Sequence, residues 1–174
     1  MNKILMEITD KDIDPSFVHV DTTNFRKRDS SRGILMHQGK LGLLNVTKSG
    51  YYKLPGGGFE DNENLNEAFR RELIEETGCN AEILDHGGII VETRSKIKLI
   101  QTSYVFLSKV IGQPHKPQFD EGEINAGYRL EWIAPTDAAR IFDKQKASDY
   151  ESKFICLRDK SIFMYYREQI ASIA

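Results

Sequence analysis

The chain has 174 residues and a formal net charge of −2, with 40% hydrophobic and 29% charged residues. This length favours a single domain with its own core, and the balanced charge excludes a global basic field, so we expect no sequence-specific nucleic-acid binding. No apolar run is long enough to span a membrane, and the N-terminal apolar stretch is too short for a signal peptide. We therefore expect a cytoplasmic protein without a membrane partner, whose Cys79 and Cys156 are free thiols.

Short apolar runs separated by turn signals occupy the first third of the chain. Residues 1–15 are acidic and turn-rich, and are compatible with either a short lead-in strand or a loose N-terminal arm. The runs that follow predict strands at residues 17–21, 33–37, 41–46 and 51–54. The middle two flank Gln38-Gly39-Lys40, which predicts a β-hairpin.

Residues 57–79 place glutamates in an unusual pattern. Three of them stand at helical positions i, i+3 and i+4 and share one face, namely Glu72, Glu75 and Glu76. They repel one another, and they lie in the last helical turn, where the helix dipole disfavours negative charge. An apolar stripe that includes Leu65 and Phe69 continues into Glu72 and Glu76, where burial of an unpaired carboxylate would be costly. A bound divalent cation, Mg²⁺ above all, would relieve these penalties.

The same segment resembles the Nudix box, Gly-x5-Glu-x7-Arg-Glu-U-x-Glu-Glu-x-Gly-U, in which U is a bulky aliphatic residue. The residues that match are Gly57, Glu63, Arg71, Glu72, Leu73, Glu75, Glu76 and Gly78. Cys79 departs from the last U position, but cysteine behaves as a small hydrophobe. The resemblance implies an α/β protein with the Nudix fold, a mixed β-sheet sandwiched between α-helices, and a single Nudix hydrolase domain over residues 1–174.

The elements around and beyond the box follow from caps and periodicity. Asn62 or Asn64 is expected to cap the box helix, and Gly78 to end it. The remaining predictions are strands at 81–93, 98–110 and 128–133, a long acidic loop at 111–126, a short helix from Pro135 to about Phe142, and a terminal helix at 148–171. The apolar stripe of the terminal helix favours core packing over a partner surface.

The resemblance also implies a chemistry, the hydrolysis of nucleoside diphosphates linked to another moiety with Mg²⁺ or Mn²⁺. The metal ligands it implies are Glu72, Glu75, Glu76 and the carbonyl of Gly56. Arg71 and Glu63 match positions that act as a supporting ion pair. A fourth carboxylate is expected from the later loop, with Glu121 as the first candidate and Glu123 as the second. The predicted catalytic set is therefore Glu72, Glu75, Glu76, Glu121 and Arg71.

The substrate is less specified than the reaction. Weaker candidates for substrate contacts are Arg28, Arg32, Tyr51 and Arg94. The chain lacks the downstream proline of many ADP-ribose hydrolases and the signatures of the NADH and coenzyme A hydrolases. A (d)NTP or a modified nucleotide is the first expectation. Nucleotide sugars, dinucleoside polyphosphates and RNA 5′ ends remain open, as do a non-catalytic module that senses a nucleotide and a homodimer.

Overall fold

The computed structural model describes residues 3–173. Its elements in chain order are β1 (Ile4–Thr9), α1 (Asp10–Ile13), β2 (Arg26–His37), β3 (Lys40–Val46), β4 (Tyr51–Lys53), α2 (Leu65–Thr77), β5 (Asn80–Arg94), β6 (Leu99–Ile111), α3 (Glu121–Ala126), β7 (Tyr128–Ile133), α4 (Pro135–Lys144), α5 (Tyr150–Tyr165) and α6 (Arg167–Ile173). Within residues 3–173 no helix is long and apolar enough to cross a membrane.

Within residues 3–173, seven strands form one mixed sheet in the order β1-β5-β6-β2-β3-β4, and β7 also pairs with β3. The β1–β5 and β2–β6 pairs are parallel, whereas the other pairs are antiparallel. On one face, α2 packs through Phe69 and Leu73 against the sheet, and the Phe69 ring stacks on Phe106 at a centroid distance of 4.4 Å. On the other face, α4 and α5 contribute Phe142 and Phe154 to a larger cluster. The predicted sheet between helices is confirmed.

The predicted hairpin is the β2–β3 connection. Its two central residues, Gln38 and Gly39, both have positive φ angles of 47° and 74°, as the tight turn of a right-twisted hairpin requires. Strand β2 starts at Arg26 rather than at residue 33. Its first half is charged and gives no apolar signal, but it pairs in register with β6 from Arg26 onward.

Two expectations for the N-terminal region need correction. The strand expected at residues 17–21 does not form, because this segment lies between turns at which Asp14 and Asp21 accept hydrogen bonds from nearby backbone amides, and its side chains stay largely exposed. The loose-arm interpretation of residues 1–15 is wrong for residues 4–9, which form β1 beside β5. Residues 1 and 2 lie outside the described part of the chain.

The C-terminal third also differs from the prediction in two places. The loop at 111–126 contains the short helix α3. The helix expected at 148–171 is two helices, which meet at Tyr166 with φ −93° and ψ 6°. Tyr166 is fully buried, and its hydroxyl donates a hydrogen bond to Asp85 Oδ2 at 3.0 Å. This tertiary contact, which no helical periodicity reports, accompanies the break.

Candidate active site

The box helix α2 has well-defined ends. Asn64, rather than Asn62, caps it by accepting hydrogen bonds from the amides of Asn66 and Glu67. Gly78 ends it in the left-handed conformation with φ 68°, which glycine adopts without a steric penalty. The face that buries Phe69 and Leu73 continues into Glu76, whose exposed fraction is only 2%. The carboxylate at the end of the apolar stripe is therefore turned into the protein, as the register predicts.

Arg71 joins most of the acidic groups of the box. Its Nε donates to Glu63 Oε1 at 2.7 Å, and its Nη1 donates to Glu72 Oε1 at 3.0 Å and to Glu75 Oε2 at 2.9 Å. Its Nη2 reaches Glu63 Oε2 and the carbonyl oxygen of Gly58. The Arg71 hydrogen bonds lower the pKa of Glu63. The ion pair of Arg71 and Glu63 thus links the loop before α2 to the helix.

Glu76 is held from two sides. Lys53 Nζ donates to its Oε1 at 2.7 Å, and the amide of Gly56 donates to its Oε2 at 2.6 Å. Lys53 is itself buried and lies over the Tyr128 ring, with Nζ 4.8 Å from the centroid. The sequence analysis did not select Lys53. It could have been found from its position, because a charged side chain two residues after Tyr51 lies on the same strand face, just before the glycines.

A glycine loop, residues 54–59, brings backbone close to these carboxylates. Gly56 has φ 129°, and a Cβ there would overlap the carbonyl oxygen of Ser31. A Cβ at Gly57 would overlap the carboxylate of Glu72. The loop also pairs with β2, since the Ser31 amide donates to the Gly57 carbonyl at 2.9 Å and the Phe59 amide to the Asp29 carbonyl at 3.2 Å. Glycine is required here for close approach to both β2 and α2.

The later loop turns Glu123, not Glu121, towards the box. Asp120 and Glu123 form a capping box at the start of α3, in which the Glu123 carboxylate accepts the Asp120 amide at 2.9 Å. Glu123 therefore lines the cleft, whereas Glu121 is exposed and does not. Burial, together with the nearby charge of Glu76, raises the pKa of Glu123 to about 7. The structure therefore places the second candidate, Glu123, at the cleft and leaves the first, Glu121, outside it, while the role of either stays a prediction.

A cleft of about 620 Å³ lies between the glycine loop, the end of α2 and the later loop. Its lining combines an acidic group, the carboxylates Glu72, Glu75 and Glu76 of the box, with a basic group that includes Arg28 and Arg32 of β2. Arg32 is buried, with an exposed fraction of 9%, and its Nε and Nη1 have no hydrogen-bond partner among the described residues. Burial, followed by the charge of Arg158, lowers the pKa of Arg32. An unpartnered buried guanidinium at a cleft is suited to an anionic group.

Two weaker candidates for substrate contacts lie elsewhere. Tyr51 is 6% exposed and packs in the interior rather than at the cleft. Arg94 is also buried and donates to Glu92 Oε1 at 2.8 Å. Neither side chain lines the cleft. The cleft instead includes Gln118 and Asp120 of the later loop, which the sequence analysis missed.

The donor chemistry of the acidic group fits a hard divalent cation. Burial, followed by the charge of Glu76, raises the pKa of Glu72, so a nearby cation would favour its charged form. Within residues 3–173, however, no three His, Cys, Asp or Glu side chains stand close enough together to hold a metal ion as they are. Arg71 and Lys53 supply the positive charge in this arrangement. A cation would have to replace part of these ion pairs.

The chain belongs to the NUDIX domain family, whose model matches residues 15–155. It is accordingly an enzyme of the Nudix hydrolase class. Several solved structures share the fold. A NUDIX hydrolase from Nitrosomonas europaea is 17% identical with a TM-score of 0.58, covering 77% of this chain and 88% of that one.

Two further structures align over most of their own length. A MutT protein from Methanosarcina mazei Go1 is 18% identical with a TM-score of 0.55, covering 84% of this chain and 97% of that one. An ADP-ribose pyrophosphatase from Streptococcus suis 89-1591 is 15% identical with a TM-score of 0.53, covering 80% and 92%. At these identities the likeness concerns the fold alone.

Proposed function

We propose that the protein is a cytoplasmic, Mg²⁺- or Mn²⁺-dependent hydrolase that cleaves the pyrophosphate linkage of a nucleoside diphosphate joined to another moiety. The observation that carries this proposal is the presence in one cleft of an acidic group, with Glu72 and Glu76, and a basic group, with Arg28 and Arg32. Such a cleft can hold a cation with the first group and the phosphates of its complex with the second.

The residues that would hold the cation are Glu72, Glu75, Glu76 and the carbonyl of Gly56, with Glu123 as the additional carboxylate from the later loop. When bound, the cation neutralises phosphate charge and lowers the pKa of a coordinated water. Arg28 and Arg32, which also line the cleft, orient the phosphates. In the reaction, water adds to one phosphorus, the bridging P–O bond breaks, and a carboxylate accepts the proton that the water loses. Glu123, which lines the cleft from the later loop, is the candidate for that role.

A (d)NTP or a modified nucleotide is our first proposal for the substrate, with a nucleoside monophosphate and pyrophosphate as products. A similar structure is named an ADP-ribose pyrophosphatase, so ADP-ribose is included in the test panel. Nucleotide sugars, dinucleoside polyphosphates and RNA 5′ ends complete the set. A homodimer stays a prediction that gel filtration tests.

Nucleotide sensing is the second candidate role, and the chain's membership of the Nudix hydrolase class argues against it. The observation that favours it is that Arg71 and Lys53 pair with the box carboxylates and neutralise them without a metal. This role predicts nucleotide binding without turnover.

The deciding experiment measures phosphate and pyrophosphate release from a panel of these nucleotides, with Mg²⁺, with Mn²⁺ and with EDTA. Glu76→Gln is expected to lower kcat by more than about 100-fold, because loss of a metal's outer partners alone costs roughly 10- to 100-fold. Glu151→Gln, an exposed carboxylate on α5, is the matched control. A folded Glu76→Gln variant with near-normal turnover would refute the metal assignment. Binding without any release across the panel would favour the sensor.

A further inference from the structure

A buried ion pair lies in the middle of α5, outside the cleft. Arg158 and Asp159 are adjacent residues with exposed fractions of 1% and 0%. Two ionised groups are costly to bury, and apolar residues of similar volume often give a protein equal or greater stability. A contribution to stability therefore does not by itself explain why the pair is buried, and its contacts indicate another role.

The Asp159 carboxylate joins α5 to the start of the glycine loop. Its Oδ2 accepts the backbone amide of Leu54 at 2.7 Å, and its Oδ1 accepts Arg158 Nε at 2.7 Å. Strand β4 ends one residue earlier, at Lys53, so Asp159 acts where the strand ladder stops. Arg158 is itself anchored, because its Nη1 lies 3.4 Å from Glu92 Oε2 on β5. Asp159 thus has a fixed position relative to the sheet.

The loop carries this position to the box helix. Two residues after Leu54, the Gly56 amide donates to Glu76 Oε2 at 2.6 Å. Between them, the Pro55 carbonyl accepts the Gly33 amide of β2 at 3.2 Å. The backbone from Leu54 to Gly56 is therefore held by α5 at one end and by β2 along its side. A shift at Leu54 displaces the amide that orients Glu76.

We propose that Asp159, fixed by Arg158, is a positioning residue that sets the glycine loop and, through the Gly56 amide, the orientation of the Glu76 carboxylate. The expected effect on catalysis rests on the proposed function, whereas the positioning of the glycine loop by Asp159 does not. Asp159 touches neither the cleft nor any proposed ligand of the cation. Its hydrogen bonds reach the site through the backbone, and its charge also acts on Arg32 of the cleft.

The test is Asp159→Asn, compared with the exposed Glu151→Gln on the same helix. Asparagine has one acceptor oxygen for two donors, so either Leu54 or Arg158 loses its partner. In nitrogen-15 NMR spectra recorded without substrate, we expect the Gly56 amide proton to shift and to exchange faster, while the Gly112 amide stays unchanged. The dissociation constant for Mn²⁺, measured by titration, is expected to rise roughly 10-fold.

In the activity assay, kcat is expected to fall roughly 10- to 100-fold with little change in KM. If Asp159→Asn does not fold, Arg158→Lys decides, because lysine keeps the charge but cannot bridge Asp159 and Glu92 as a guanidinium does. It should give the same shifts at smaller size. A folded variant with a wild-type Gly56 amide and wild-type Mn²⁺ affinity overturns the proposal. Because these two readouts need no turnover, they remain decisive even if no substrate is found.

Discussion

At the scale of single residues, the candidate site depends on how each carboxylate is neutralised. Arg71 serves Glu63, Glu72 and Glu75 together, whereas Glu76 relies on Lys53 and one backbone amide. Both side chains of the Lys53–Glu76 pair are buried, with exposed fractions of 7% and 2%. Removing either member of such a pair leaves an uncompensated charge.

We therefore predict that Lys53→Met lowers the free energy of unfolding in EDTA by about 3–5 kcal/mol. Mg²⁺ should restore part of this loss, because a cation near Glu76 supplies the missing positive charge. Thermal unfolding with EDTA and with Mg²⁺ measures both effects. Lys48→Met, at an exposed turn, is the matched control. An equal loss in the two conditions would show that no cation binds beside Glu76.

The two glutamates of α3 supply a second prediction at this scale. Glu123→Gln should slow turnover more than Glu121→Gln, because only Glu123 lines the cleft. This reverses the order expected from the sequence. Steady-state kinetics of both variants at saturating Mg²⁺ provide the comparison. Equal turnover rates in the two variants would mean that Glu123 has no specific role in the proposed reaction.

At the scale of elements, the predictions that held are those set by local signals. The cap at Asn64, the left-handed Gly78 and the turn at Gln38-Gly39 are each decided within a few residues. The first half of β2 was missed because its charged residues show no apolar alternation, and its pairing partner lies far along the chain. Local periodicity cannot report a parallel neighbour.

The candidate site divides in the same way. The inward direction of the Glu76 side chain follows from its helical register and was predicted from the sequence. The orientation of Glu123 follows from a capping box with Asp120, a short-range signal that was present but unused. Lys53 contacts Glu76 and Asp159 contacts Leu54 only because the fold brings distant segments together. Such tertiary partners cannot be derived from periodicity.

At the scale of the whole molecule, a group of buried charges joins β5 to α5. Glu92 is fully buried and bonded to Arg94, and it lies near Arg158. Burial alone would raise the pKa of Glu92, but the two arginines outweigh it and hold the pKa below its usual value. Because the folded-state pKa is lower than the unfolded-state pKa, the stabilising contribution is complete above the unfolded-state value. It is lost as the pH falls through the folded-state pKa.

We predict that Glu92→Gln is less stable than the wild type at neutral pH and that this gap narrows in acid, from about pH 4.3 downward. Urea unfolding across that range gives the two free energies. Glu82→Gln, which removes an exposed ion pair with Lys109, should change stability little at any pH. A difference in the free energy of unfolding that stays constant in acid would mean that Glu92 has the same pKa in the folded and the unfolded protein.

Asp159, which accepts the Leu54 amide at the start of the glycine loop, lies beyond the last residue that the family model matches. That match ends at residue 155, inside α5, whereas Asp159 and its partner Arg158 follow on the next turn of the same helix. A chain shortened to the matched region would keep every box residue and lose the group that holds Leu54. Under the proposal that Asp159 positions the glycine loop, a truncation at residue 155 should therefore weaken Mn²⁺ binding although every box residue is retained.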